Sequence, residues 1–131
     1  GSGKLLREGR HLLIVALGAF MVGEAMKAAD LLSAKGVEAS VIDALSLKPL
    51  DDRLILTEAR KTGFVLTAEN HQVHGGLGSA VAELLAETGG AKLGRVGIRD
   101  EFGEVGTEAW LAGRFKLRAE DIAEAARALL A

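Results

Sequence analysis

Six consecutive apolar residues, Leu12-Leu13-Ile14-Val15-Ala16-Leu17, run directly into Gly18, and the hydrophobic period then changes. A strand with one wet face alternates apolar and polar side chains. A run with no polar member fits a strand covered on both faces, the situation of a parallel sheet flanked by helices. After the glycine, Val22, Ala25, Met26, Ala29 and Leu32 recur at the spacing of one helix face. Gly36 stands where a glycine just past the last turn ends such a helix.

The same alternation continues down the chain. A second β-type run covers residues 37–42, and Lys48 before Pro49 favours an extended connection. Asp51 is a suitable N-cap, with Leu50 placed to staple against Ile55 across it. That helix runs to Lys61 and stops at Thr62-Gly63. Residues 64–67 form a third strand. A glycine-bearing loop leads from His71 to Gly78 into a helix with Val81, Leu84, Leu85 and Thr88 on one face. Residues 95–99 make the last clear strand, and Ile122, Ala125, Ala126, Leu129 and Leu130 mark a closing helix. A short edge strand at residues 4–7 completes the pattern. Repeated β/α alternation predicts an α/β fold in three layers, α/β/α, with a mostly parallel sheet and right-handed crossovers. The 131 residues suit one domain over residues 1–131, with no internal repeat or linker.

Composition removes several functions. The formal net charge is −2, which gives no electrostatic reason to expect nucleic acid or an anionic membrane surface as partner. No apolar run reaches the roughly 18 residues of a membrane helix, and Gly1-Ser2-Gly3-Lys4 does not read as a signal peptide. Cys is absent, which excludes disulfides and thiolate chemistry and fits a reducing compartment; a cytoplasmic location is expected.

In open α/β sheets, ligands sit beyond the carboxyl ends of the strands where the strand order reverses. Two connections at that edge matter. The turn around Gly18 follows a strand and opens a helix, so its N–H groups could face an anion. Its spacing is neither a dinucleotide fingerprint nor a P-loop, and Phe20 and Met21 crowd the place of a phosphate, so a packing turn is the simpler reading. The segment Glu69-Asn70-His71-Gln72-Val73-His74-Gly75-Gly76-Leu77-Gly78 is the richest in polar chemistry. His71 and His74 with Glu69 lack a third strong metal ligand, and no Ser or Cys nucleophile accompanies them. A structural loop with His71 at least half buried and hydrogen-bonded is the simpler reading. Asp100, Glu101 and Glu104 read as a solvated acidic loop, His11 as a surface residue at a strand start, and Trp110 with Phe102 and Phe115 as core under the last helix.

Three stretches together resemble a known family: Leu47-Lys48-Pro49-Leu50-Asp51; Thr67-Ala68-Glu69-Asn70-His71 with Gly75-Gly76-Leu77-Gly78-Ser79; and Arg95-Val96-Gly97-Ile98-Arg99-Asp100-Glu101-Phe102-Gly103-Glu104-Val105-Gly106. In this order they resemble the C-terminal domain of transketolase, with deoxyxylulose-5-phosphate synthase and the beta chain of 2-oxo acid dehydrogenases as relatives. The Phe-Gly-x-x-Gly segment leans toward transketolase in its short or split forms. The sequence departs from the family at Leu17-Gly18-Ala19, where Thr-Gly-Ser is usual, and at Arg118, where Thr often caps the last helix.

The resemblance implies a five-stranded sheet of order 1-3-2-4-5 with an antiparallel first strand. It also implies a crevice or interface bordered by Gly18, Glu69, His71, His74, Gly75, Gly76, Gly78 and Asp100. A family member of this kind belongs to a larger, cytoplasmic, homo-oligomeric enzyme that uses thiamine diphosphate and Mg2+ to transfer two-carbon ketol units between sugar phosphates. The cofactor lies between the pyrophosphate-binding and pyrimidine-binding domains. The Gly-Asp-Gly…Asn-Asn thiamine motif is absent here, so no cofactor or metal is expected on this domain alone and its expected work is assembly. Two other readings stand beside this one. One is a docking module for the acyltransferase core of a 2-oxo acid dehydrogenase. The other is a free-standing anion- or nucleotide-binding domain using the Gly18 turn.

Overall fold

The computed structural model describes residues 2–72, 75–98 and 108–131. In chain order the elements are β1 (Lys4–Arg7), β2 (Leu12–Ala16), α1 (Ala19–Ser33), β3 (Ala39–Asp43), α2 (Asp52–Thr62), β4 (Phe64–Gln72), α3 (Leu77–Thr88), β5 (Lys92–Ile98), α4 (Glu108–Arg114) and α5 (Ala119–Leu130). The five strands form one sheet in the order β1-β3-β2-β4-β5. β1 is antiparallel to β3, and the other pairs are parallel. The expected architecture and strand order are those observed.

β2 lies at the centre because it alone has nothing polar to offer either face. All five of its residues are fully buried. Leu12, Ile14 and Ala16 join a core with α1 and α5, while Leu13 and Val15 join a second core with α2 and α3. The period-2 alternation of a strand thus distributes one apolar run between two cores, which makes the three layers.

Several boundaries differ from the sequence reading, each for a physical reason. Helix α1 begins at Ala19 rather than Val22, which turns Met21 into the core, fully buried. Met21 therefore does not crowd the Gly18 turn. β4 continues to Gln72, so Glu69 to Gln72 is strand and not loop; Gln72 pairs with Ile98 after a register shift. Pairing with β5 overrides the weak strand propensity of those polar residues. β5 begins at Lys92, three residues before the expected start at Arg95, because Lys92, Leu93 and Gly94 pair with Phe64, Val65 and Leu66 of β4. Helix α4 was not apparent in the sequence. Trp110 on it is 49% exposed rather than core, whereas Phe115 does pack partly buried against the α1/α5 core. His11 is half-buried, and its Nδ1 accepts the Glu38 N–H at 2.8 Å while its own N–H donates to the Glu38 carbonyl at 3.0 Å. It is a strand-end fastener and not a free surface group.

The helix stops follow the glycines. Gly63 ends α2 in the left-handed conformation, φ 78°, with its N–H on the Ala59 carbonyl. At the other end of α2, Asp51 accepts the Leu54 N–H at 3.1 Å, as a capping residue should. The N-cap of helix α5 is Arg118, a residue whose side chain has no acceptor to offer. Two carboxylates replace the missing cap: Asp121 accepts the Arg118 N–H at 3.0 Å, and Glu24, buried on α1, accepts the Ala119 N–H at 3.3 Å. Helices α1 and α5 lie side by side and run in the same direction, from the contact of Glu24 with Ala119 to the neighbourhood of Lys35 and Ala128.

Candidate functional site

The strand order reverses between β2 and β4, whose registers align Ala16 with Ala68. The chain leaves both strands at the same edge. Leu17 still donates its N–H to the Ala68 carbonyl at 3.2 Å, and Gly18 follows with φ 93° as the N-cap of α1. That positive φ is why glycine stands there. A Cβ on Gly18 or on Gly23 would meet nothing within 4 Å, so neither position is kept free of a side chain by close packing. The packing explanation for these two glycines therefore fails, and for Gly18 the backbone conformation supplies the reason.

On the β4 side the decisive residue is Glu69. Its side chain is fully buried, and its two carboxylate oxygens accept the N–H groups of Leu77 at 2.8 Å and Gly78 at 2.7 Å. These are the first two residues of α3. The N-cap, Gly76, has no side chain to offer, and the first turn of α3 contains no acidic residue. A carboxylate from the neighbouring strand supplies what the helix lacks: acceptors for two orphan donors and a negative charge at the positive end of the helix dipole. Ser79 adds a further tie, its Oγ accepting the Gly75 N–H at 2.9 Å.

Gly78 is required by proximity. A Cβ there would meet Arg95 Cδ at 2.9 Å, Thr67 Oγ1 at 3.2 Å and Glu69 Oε2 at 3.3 Å. The start of α3 is pressed directly onto β4 and β5, and Thr67 sits opposite Arg95 in the ladder beneath it. Thr67 is itself fully buried, and its hydroxyl has no hydrogen-bond partner among the described residues.

Of the expected crevice residues, the structure brings Glu69, Gly76 and Gly78 into one interlocked cluster and sets Gly18 at the adjacent strand end. Gly75 is exposed at the mouth of α3, with φ 81°. His74 and Asp100 lie outside the described residues, as do Glu101, Phe102, Glu104 and the side chain of His71. Sequence reasoning missed the bond from Glu69 to α3. The signal was present: a helix opening on glycines without a capping side chain, preceded by a lone carboxylate at a strand end. The cavities found among the described residues lie elsewhere. One of about 520 Å³ lies between β5 and the turn joining α4 to α5, lined by Gly97, Phe115 and Lys116 among others. The other, of about 740 Å³, lies between α1 and α5. Neither includes any of the expected crevice residues. No helix among the described residues is long and apolar enough to cross a membrane.

Comparison with known proteins places this geometry. Residues 1–122 match the family described as transketolase, C-terminal domain. The chain is 48% identical over 126 residues to the 6-deoxy-6-sulfo-D-fructose transketolase subunit SqwH of Clostridium sp. strain MSTE9, covering 96% of this chain and 39% of that protein. It is 46% identical over 130 residues to the 1-deoxy-D-xylulose-5-phosphate synthase of Heliobacterium modesticaldum, covering 98% of this chain and 20% of that one. Among solved structures, a split-gene transketolase, described as an inactive beta4 tetramer, superposes with a TM-score of 0.92 at 46% identity, covering 98% of this chain and 42% of that one. A transketolase mutant from Pichia stipitis shares the fold, with a TM-score of 0.69 at 21% identity. The chain thus spans well under half the length of these relatives.

Proposed function

The chain belongs to the transketolase C-terminal domain family, and from that premise we propose that it serves as the C-terminal domain of a transketolase-type thiamine diphosphate enzyme. Its contribution is assembly. It packs against the pyrimidine-binding domain, supports a homo-oligomer of the full cytoplasmic enzyme, and borders the approach to the active site. Thiamine diphosphate and Mg2+ are held by the pyrimidine- and pyrophosphate-binding domains and not by residues 1–131, which form a single folding unit. The full enzyme transfers two-carbon ketol units between sugar phosphates.

The observation that carries this reading is the coverage. Nearly the whole chain aligns with its relatives, yet it accounts for 39% of one and 20% of another. Most of each relative therefore lies outside the stretch that this chain matches. The placement of Glu69 supports the same view, because a carboxylate enclosed under a helix terminus is engaged in holding backbone. Gly18, His71, His74, Gly75, Gly76, Gly78 and Asp100 then mark the border facing the other domains.

The test is reconstitution. Titration calorimetry with thiamine diphosphate and Mg2+ should show no tight binding to residues 1–131. Adding the remaining domains should produce binding and ketol transfer that depend on this chain. Micromolar, Mg2+-dependent binding to residues 1–131 by themselves would contradict the proposal. The synthase relatives give a second reading, since identity to them is nearly as high. Formation of 1-deoxy-D-xylulose 5-phosphate by the reconstituted enzyme, without ketol exchange between sugar phosphates, would select it.

A further inference from the structure

The connection from β3 to α2 contains a contradiction in local chemistry. Leu45 has φ 60°, in the left-handed region that disfavours any residue with a Cβ, and its side chain is 51% exposed. Glycine or asparagine would relax that backbone and suit water better. The conformation is nonetheless held firmly: Asp43 Oδ1 accepts the Leu45 N–H at 2.9 Å, and the Ser46 N–H donates to the Ala44 carbonyl at 2.6 Å. Strained backbone enforced by its surroundings clusters at functional positions, which makes Leu45 a place to look for a role.

Leu45 is not isolated. The Ala44 N–H donates to the Ala16 carbonyl at 2.9 Å, which sets Leu45 beside Leu17 and the Gly18 turn. Ala19 and Pro49 are exposed on the same edge, and Leu47 is half-buried. An apolar patch therefore sits at the carboxyl edge of the sheet, over the β2 and β3 ends.

The path of the chain says what covers it. Because β1 is antiparallel to β3, Lys4 pairs with Asp43, and Gly3 donates its N–H to Asp51 Oδ2 at 2.9 Å. Any segment joined ahead of Lys4 therefore emerges at this same edge, beside Asp43, the last residue of β3 and two residues before Leu45. Had β1 been parallel, that segment would emerge at the opposite edge.

We propose that the patch centred on Leu45 is the surface onto which the domain preceding β1 docks in the assembled enzyme, with Leu45 inserted into an apolar socket of that domain. This rests on the reading that such a domain precedes this one. The exposed leucine and its left-handed backbone are then compensated by burial in the assembly.

The test uses the full enzyme. This chain has no cysteine; with any thiols of the other domains replaced by serine, Leu45→Cys and, as comparator, Lys35→Cys at the far end of α1 can each carry a thiol-linked photo-crosslinker. Cross-linked peptides from Leu45→Cys are expected to map to the domain ahead of Lys4. Its thiol should react about tenfold more slowly with a soluble maleimide than that of Lys35→Cys, since an enclosed thiol is inert. A second variant, Leu45→Asn, relaxes the backbone and removes the knob; faster proteolysis just ahead of Lys4 is expected in it. Equal labelling at both positions, cross-links to a second copy of this domain only, or unchanged proteolysis in Leu45→Asn would overturn the proposal. If cofactor binding and ketol transfer persist in that case, the docking assignment fails while the proposed function stands; if they are absent from the unsubstituted enzyme, the functional reading itself has failed.

Discussion

The Glu69 carboxylate and the Gly78 amide stand 2.7 Å apart, and the same carboxylate oxygen would be 3.3 Å from a Cβ added to Gly78. Bond and close approach are one arrangement: the helix can bring its donors to the strand carboxylate only because its second residue has no side chain.

Gly78→Ala should therefore destabilise the fold. The new methyl meets Arg95 Cδ at 2.9 Å and the Thr67 hydroxyl at 3.2 Å. Arg95 can swing, but Thr67 is fixed in the ladder, so α3 must lift from the sheet. A loss of about 1–3 kcal/mol is expected, in the range of overpacked cores, measured as a lowered urea midpoint. An unchanged midpoint would show that α3 shifts freely.

Removing the acceptor should do more than removing its charge. Glu69→Ala leaves two buried N–H groups without partners, at an expected cost of about 3 kcal/mol. Glu69→Gln keeps one good acceptor and should lose about half of that. Hydrogen exchange at the Leu77 and Gly78 amides should accelerate in both variants, and more in the alanine one. Equal effects would mean that the helix terminus draws its stability from elsewhere.

Thr67→Val should be neutral or stabilising by about 1 kcal/mol, against the usual trend for core substitutions. The shapes match, and the hydroxyl that disappears is buried without a partner among the described residues. A destabilisation by thermal melting would reveal a bonded partner for Oγ1.

Lys61 should add an alkaline step to the stability profile. Its amine is raised above the ordinary value of 10.5, chiefly by its hydrogen bond to Glu58 and then by that to Glu8. Each bond is 3.1 Å long. A raised lysine contributes stability that is fully present below 10.5 and is lost as pH climbs through the folded value. The contribution is modest because the amine is open to solvent. Lys61→Met should remove the decline above about pH 10.5 from urea titrations. An identical alkaline profile in the variant would dismiss the role assigned to these two bonds.

Layers and helix stops were legible because they follow from short-range chemistry, whereas the strand order came from the family resemblance. The apolar run of β2, the glycine at Gly63 and the Asp51 cap each declare themselves within a few residues. Residues whose roles depend on distant partners were not legible. Glu69 looks like a loop carboxylate until β4 is extended through Gln72 by pairing with β5. Met21 looked like an obstruction at the Gly18 turn until α1 was found to start at Ala19. Trp110 was expected inside because aromatic side chains usually bury, but α4 contributes Ala112 to the core and leaves the indole half in water. The start of α5 appeared uncapped because one of its two replacement acceptors, Glu24, lies 95 residues ahead of Ala119 in sequence.

The common direction of α1 and α5 has a practical consequence. Since α5 starts beside Glu24 and finishes near the end of α1, the chain terminus beyond Leu130 projects from the side of the sheet remote from Leu45 and the opening of α3. A bead, electrode or sensor surface attached through Ala131 would hold every molecule in the same sense, with the strand carboxyl ends presented outward to whatever is flowed past. Anchoring through the amino terminus would turn that face toward the support.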